Sequence, residues 1–192
     1  MNTLKAEKRS MDVKAKKLRR EGFVTGNLFG REIEGSIPLK FTKKEIEVLL
    51  KNNNKGSQVM LELDGKTYDA LIKEVDYNPL AHTVEEVDFQ ALVSNEMVHS
   101  TAEIILENEE KVMSGVLQDE LKEVAYKALP ADLVDKIKVD VAGMKIGDTL
   151  RVKDLEIAKN KNIHITTDPE AVVATVTPVS YTHLTLPTKR IV

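Results

Sequence analysis

No cysteine and no tryptophan occur among the 192 residues, and aromatic residues make up only 4%. Without thiols there is no disulfide, no thiolate metal site and no Cys nucleophile. So few aromatics argue against a module that grips single strands by stacking bases, and they leave recognition by charge and backbone shape open. No apolar run approaches the roughly 18 residues of a membrane span. The polar, basic N-terminus lacks the apolar segment of a secretory signal. A cytoplasmic protein with no membrane partner is expected.

Signatures of catalysis are equally scarce. The chain contains no G-x-x-x-x-G-K-[ST], G-x-G-x-x-G or G-x-S-x-G, which removes support for phosphate-loop, dinucleotide and nucleophile-elbow chemistry. His82, His99, His164 and His183 lie far apart, none at metal-ligand spacing. Glu109-Glu110 sits in a turn-like stretch where solvated charge is the default. The sequence therefore predicts a protein that is not an enzyme and has no cofactor, metal or small-molecule substrate.

Charge, by contrast, is plentiful and polarised. Hydrophobic residues make up 42% and charged residues 31%, and the formal net charge is -3, a composition suited to one large or two small globular domains. In the first twenty residues Lys5, Lys8, Arg9, Lys14, Lys16, Lys17, Arg19 and Arg20 face only Glu7 and Asp12, a net +6. Such a segment meets a polyanion or is simply a solvated basic tail. From residue 93 to the end, 12 basic against 16 acidic residues give -4, a poor independent RNA binder.

The periodicity is mainly that of strands. Val24 to Phe29 reads as a short strand set between Gly22 and Gly30, and Ile37, Leu39 and Phe41 alternate with Pro38 and Lys40. Thr42-Lys43-Lys44-Glu45 has the form of a capping box ahead of Ile46, Leu49 and Leu50 at helical spacing. Val59, Leu61 and Leu63 alternate into Asp64-Gly65, the preferred type I′ hairpin pair, and a second strand runs from Lys66 past Ile72. Asn78-Pro79 breaks that strand and Val84 to Leu92 supplies another. In this last strand Glu86 and Asp88 share one face while Val87 and Phe89 point to the core.

Beyond residue 92, strands are expected at Val98 to Leu106, Ile137 to Val141, Thr149 to Val152, Ile163 to Thr166 and Val172 to Val176. Val112 to Val116 is a possible short edge, and Leu121 to Leu129 looks extended but splits ambiguously between faces. Gly143 and Gly147 bracket a hairpin-like bend. The fold expected is mainly β with a few short helices: a small closed β-barrel over 1–92, then a second, mostly antiparallel β domain over 93–178.

The run R-R-E-G-F-V-T-G-N-L-F-G ending at Gly30 resembles the entry segment of the bacterial large-subunit ribosomal protein L-twenty-five family, in its two-domain form known as general stress protein CTC. Glu85-Glu86-Val87-Asp88-Phe89-Gln90 is similar to the family strand that ends in V-D-F, and Leu129 to Leu155 is similar to the hallmark of its second domain. The resemblance spans about Ala6 to Thr177. It implies a non-enzymatic constituent of the large subunit whose partners are 5S rRNA and large-subunit proteins. Arg9, Lys14, Lys16, Lys17, Arg19 and Arg20 would sit on phosphates, with Phe29 and Asp88 at the edge of the site.

The chain departs from the family at several of these positions. Lys16-Lys17 replace two arginines, losing the bidentate fork while keeping the charge. Phe29 replaces a tyrosine, and on its own reads as barrel core. Thr25 stands where proline is usual, and Glu86 replaces a histidine with a carboxylate, which repels phosphate unless it accepts from an exocyclic amine or a bridging metal ion. The alternative reading is a diverged stress paralogue that acts as a protein-interaction module with weak or no RNA binding. Val179-Ser180-Tyr181-Thr182-His183-Leu184 can be back-translated into the transposon-end adapter of sequencing libraries, so the tail over 179–192, from Val179 or Ser180 onward, is expected to be non-native, with the natural end just past Pro178.

Overall fold

The computed structural model describes residues 3–112 and 115–178. The tail expected to be non-native lies outside the described residues.

Six strands close into the first unit. They are β1 (Thr3–Lys8), β2 (Phe23–Phe29), β3 (Ser36–Thr42), β4 (Gln58–Leu63), β5 (Lys66–Asn78) and β6 (Thr83–Ala91), in the barrel order β1-β3-β2-β6-β5-β4. Closure is made by β1, antiparallel to β3 and parallel to β4, with Leu4 opposite Leu61. The first strand therefore lies inside the basic first twenty residues, ahead of the run from Lys14 to Arg20. Leu4 and Ala6 turn inward and are buried, while Lys5 between them and Glu7 and Lys8 after them are exposed. What was expected to be a basic arm is thus a barrel strand followed by a loop and a short helix, α1 (Ala15–Arg20), whose single buried residue is Leu18.

Alternation fixes the rest of the barrel. Val59, Leu61 and Leu63 on β4, with Val87 and Phe89 on β6, are at most 2% exposed, and burial of this kind contributes about 25 cal/mol per Å² of apolar surface. Phe41 and Phe89 pack with ring centroids 5.4 Å apart. Asp64 and Gly65 make the β4–β5 turn with φ of 51° and 77°. One end of the barrel is plugged by α2 (Lys43–Asn52), which buries Ile46 and Leu49. Its capping box is formed: Thr42 Oγ1 accepts from the Glu45 N–H, and the Glu45 carboxylate accepts from the Thr42 N–H.

The second unit is two sheets over one core. Strands β7 (Val98–Glu107), β9 (Glu123–Ala128), β10 (Lys136–Asp140) and β12 (His164–Ile165) form a sheet in the order β10-β7-β9-β12. Strands β8 (Val116–Asp119), β11 (Thr149–Arg151) and β13 (Val172–Thr177) form another in the order β11-β13-β8. The Gly143–Gly147 bend is not a hairpin: β10 pairs in parallel with β7, and β11 crosses to the other sheet to pair with β13. Tyr126, fully buried, ties the core to a loop, its hydroxyl donating to the Val134 carbonyl at 2.7 Å and accepting from the Val134 N–H at 2.8 Å.

Main-chain contact joins the two units. Gly56 has φ of +90°, and a Cβ there would lie 2.0 Å from the Thr101 carbonyl oxygen. Ser57 Oγ donates to Asp135 Oδ2 at 3.3 Å, and Lys73 Nζ donates to the His99 carbonyl at 2.7 Å. Lys73 is the unpaired extra residue of a bulge, because Ile72 pairs with Phe89 while Glu74 pairs with Asp88. The bulge turns its side chain toward the second unit. Partial burial, reinforced by Lys55, lowers the Lys73 pKa.

Candidate nucleic-acid interface

The outer face of β2, β5 and β6, with α1 laid against β2, gathers most of the residues singled out in the sequence. Its geometry starts from Gly26. A Cβ at Gly26 would sit 2.0 Å from the Val87 carbonyl oxygen, so only glycine lets β2 and β6 approach this closely. Their parallel ladder is interrupted there, with Thr25 opposite Glu86 and Leu28 opposite Phe89. Asp88 fills the gap: its Oδ1 accepts from the Asn27 N–H at 2.9 Å and from Asn27 Nδ2 at 3.0 Å. One lobe of the carboxylate expected to meet RNA is therefore already used to hold the strands together.

Glu86 lies beside it and accepts from Asn27 Nδ2 at 3.3 Å. Glu85 is a second bulge residue, since Val84 pairs with Tyr77 and Glu86 with Asp76. On a regular strand consecutive side chains face opposite ways; the bulge brings Glu85 and Glu86 to the same guanidinium. Arg19 Nη1 is 2.8 Å from Glu85 Oε2, Nη2 is 3.4 Å from Glu86 Oε2, and Nε donates to the Glu85 carbonyl at 3.2 Å. Thr25, fully buried, donates its hydroxyl to the same carbonyl at 3.3 Å. Glu74, Asp76, Glu86 and Asp88 together line a concave patch of about 260 Å³.

The other expected residues fall into three groups. Lys14, Lys16, Lys17 and Arg20 are exposed on and just before α1. Among the described residues Lys14, Lys16 and Arg20 form no ion pair, and Lys17 has only a 4.0 Å contact with Glu21. Arg9 stands apart: its Nη2 donates to the Val13 carbonyl at 3.1 Å, its main-chain N–H donates to Pro38, and its buried Nε has no partner. It braces the β1–α1 loop. Phe29 is half-buried at the end of β2, on the outer face with Asn27 and outside the barrel's core cluster.

Sequence reasoning missed Asn27 and Glu85. Period two on β2 already groups Asn27 with Thr25 and Phe29, so the first was within reach. The bulge that re-aims Glu85 has no glycine or proline to announce it. Among the described residues the histidines stay separate: His82 Nδ1 meets the Tyr77 hydroxyl at 3.2 Å, while His99 and His164 are exposed on strands of the second unit; His183 lies outside the described residues.

Comparison with known proteins agrees with both halves of the chain. Residues 4–89 match the Ribosomal L25p family, and residues 97–180 match the Ribosomal protein TL5, C-terminal domain. A Large ribosomal subunit protein bL25 of Bacillus velezensis is 31% identical, the match covering 93% of this chain and 89% of the relative. One of Carboxydothermus hydrogenoformans is 32% identical, covering 88% and 87%, and one of Thermoanaerobacter sp. 29% identical, covering 84% and 81%. The chain belongs to the bL25 family of large ribosomal subunit proteins.

Proposed function

We propose that the barrel binds 5S rRNA within the large ribosomal subunit, with α1 on the phosphate backbone and the β2–β6 face against base and sugar edges. Family membership makes the protein a cytoplasmic, ribosome-associated structural component; the choice of 5S rRNA rests on the resemblance of the barrel strands to that family. The observation that carries the reading is the division of labour on one face. Lys14, Lys16, Lys17 and Arg20 offer exposed cations beside a patch of carboxylate acceptors. Phosphate contacts supply affinity and position, whereas acceptors aimed at a shallow A-form minor groove meet 2′-hydroxyl and amino donors.

A titration of 5S rRNA with the full chain across a salt series tests this, with Lys16→Ala/Lys17→Ala/Arg20→Ala beside it. The reading predicts binding that weakens as salt rises, and a shallower slope in the variant by roughly 0.7–0.9 per phosphate contact removed. A wild-type affinity independent of salt, or an unchanged slope, contradicts it.

One feature favours a protein-interaction module instead. From Glu74 to Glu110 there are ten carboxylates and no Lys or Arg, so this stretch repels phosphate and suits a basic polypeptide. Absence of RNA binding at low salt would select that reading.

A further inference from the structure

We infer that Glu85 and Glu86 form a carboxylate clamp that keeps Arg19 as an internal counter-ion and withholds it from phosphate, so the barrel face meets RNA as an acceptor surface. This deepens the RNA-binding reading and rests on it. Three nitrogens make up the guanidinium, and all three are engaged: Nη1 and Nη2 by the two carboxylates, Nε by the Glu85 carbonyl. A phosphate bound bidentately needs two parallel N–H donors of that fork. Three of its five N–H donors already face protein acceptors, so an arriving phosphate competes with the carboxylates for the fork.

Two independent features show that the clamp is built. The bulge between Asp76 and Tyr77 places Glu85 on the Arg19 side, where a regular strand would turn it away. Both carboxylates are also anchored from behind: Glu85 Oε1 accepts from Asn78 Nδ2 at 2.7 Å, and Glu86 Oε1 from Asn27 Nδ2 at 3.3 Å. Each therefore uses one oxygen to fix itself and the other to hold Arg19. The three side chains retain 31–34% exposure, which leaves the pair open to exchange with an arriving anion.

The specificity consequence is direct. With Arg19 held, the patch presents acceptors to 2′-hydroxyl and exocyclic amino donors, and phosphate contacts fall to α1. Glu85 and Glu86 act on affinity through Arg19, so their removal strengthens binding, where the loss of an ordinary contact residue weakens it.

The experiment measures binding of the full chain to 5S rRNA across a salt series for wild type, Glu85→Gln, Glu86→Gln and the double variant. Asp76→Asn serves as a control that removes a carboxylate of the same patch outside the clamp. The double variant is expected to bind about 10-fold tighter at low salt, with a slope steeper by roughly 0.7–0.9, the signature of one added phosphate contact. Glu85→Gln should exceed Glu86→Gln, following the 2.8 Å and 3.4 Å separations. Arg19→Ala in the double background should abolish the gain. Binding by the double variant where wild type shows none overturns the RNA-binding reading for this chain, and the clamp with it. If wild type binds and the double variant does not gain, or if Asp76→Asn gains as much, or if the gain survives Arg19→Ala, the clamp is overturned while the RNA reading stands. Failure of every variant to bind at low salt overturns both. Glutamine keeps the volume and one acceptor oxygen, and unchanged melting curves separate a binding effect from a folding one.

Discussion

The barrel and the second unit bury their cores in opposite ways. In the barrel every strand has two neighbours, so no main-chain edge is left to offer a partner, and recognition falls to side chains on the outer face and to α1. The second unit ends in four edge strands, β10, β12, β11 and β8. These are two to five residues long, and β10 carries Lys136, Lys138 and Asp140, which blunts it against further pairing. Charge divides along the same line. Residues 1–92 hold 16 basic and 15 acidic side chains, a net +1 with the surplus crowded into the first twenty, whereas residues 93–192 sum to -4. A closed barrel with one cationic corner is suited to an anionic partner, and an acidic pair of sheets is not.

The largest expected effect breaks the barrel half of this contrast. Gly26→Ala drives a Cβ to 2.0 Å from the Val87 carbonyl, and neither backbone can yield without opening β2 from β6. A loss of about 3 kcal/mol or more is expected, read as a fall in the denaturant midpoint together with loss of RNA binding. Tyr126→Phe is the counterpart in the second unit. It removes the hydroxyl that pairs with both the N–H and the carbonyl of half-buried Val134, for a loss of about 1 kcal/mol or more. RNA affinity should stay unchanged in folded protein, since the barrel does not use this residue; a parallel loss of binding would erase the distinction between the units.

Asn27→Ala gives a smaller, mixed outcome. Asp88 keeps the main-chain N–H of residue 27 but loses the side-chain amide, as does Glu86. About 1 kcal/mol of stability should go, visible as a shift in melting temperature. The smallest effect is a pH dependence in the second unit. Lys153 and Arg151 hydrogen-bond the Glu170 carboxyl and hold its pKa below the ordinary range. Its stabilisation is therefore present above the unfolded-state value of about 4.3 and is lost as pH falls through the lower folded value. Glu170→Gln should flatten the acid limb of stability below about pH 4.3 only slightly, because the pair is exposed and screened.

Local chemistry was legible in the sequence and long-range chemistry was not. The Asp64-Gly65 turn and the Thr42–Glu45 capping box are written in adjacent residues and appear as read. β1 was hidden because Leu4 and Ala6 are its only inward side chains, under a run of charge that suggests a tail. α1 was hidden because a six-residue helix with one buried leucine has no periodicity to show. At the proposed interface, the charge of Lys14, Lys16, Lys17 and Arg20 is plain in the sequence, whereas the helix that presents most of them is not. The engagement of Arg19 depends on Glu85, 66 residues away, and on a bulge that no residue type announces. β10 was read correctly as a strand, yet its parallel pairing with β7 brings together segments too far apart for local pattern to link.

The most direct test of the proposed interface is amide chemical-shift mapping of the full chain during titration with 5S rRNA. The account predicts perturbations concentrated in Lys14 to Phe29 and Thr83 to Gln90, with β7 through β13 largely unmoved. Perturbations centred on the second unit, or none at low salt, would contradict it.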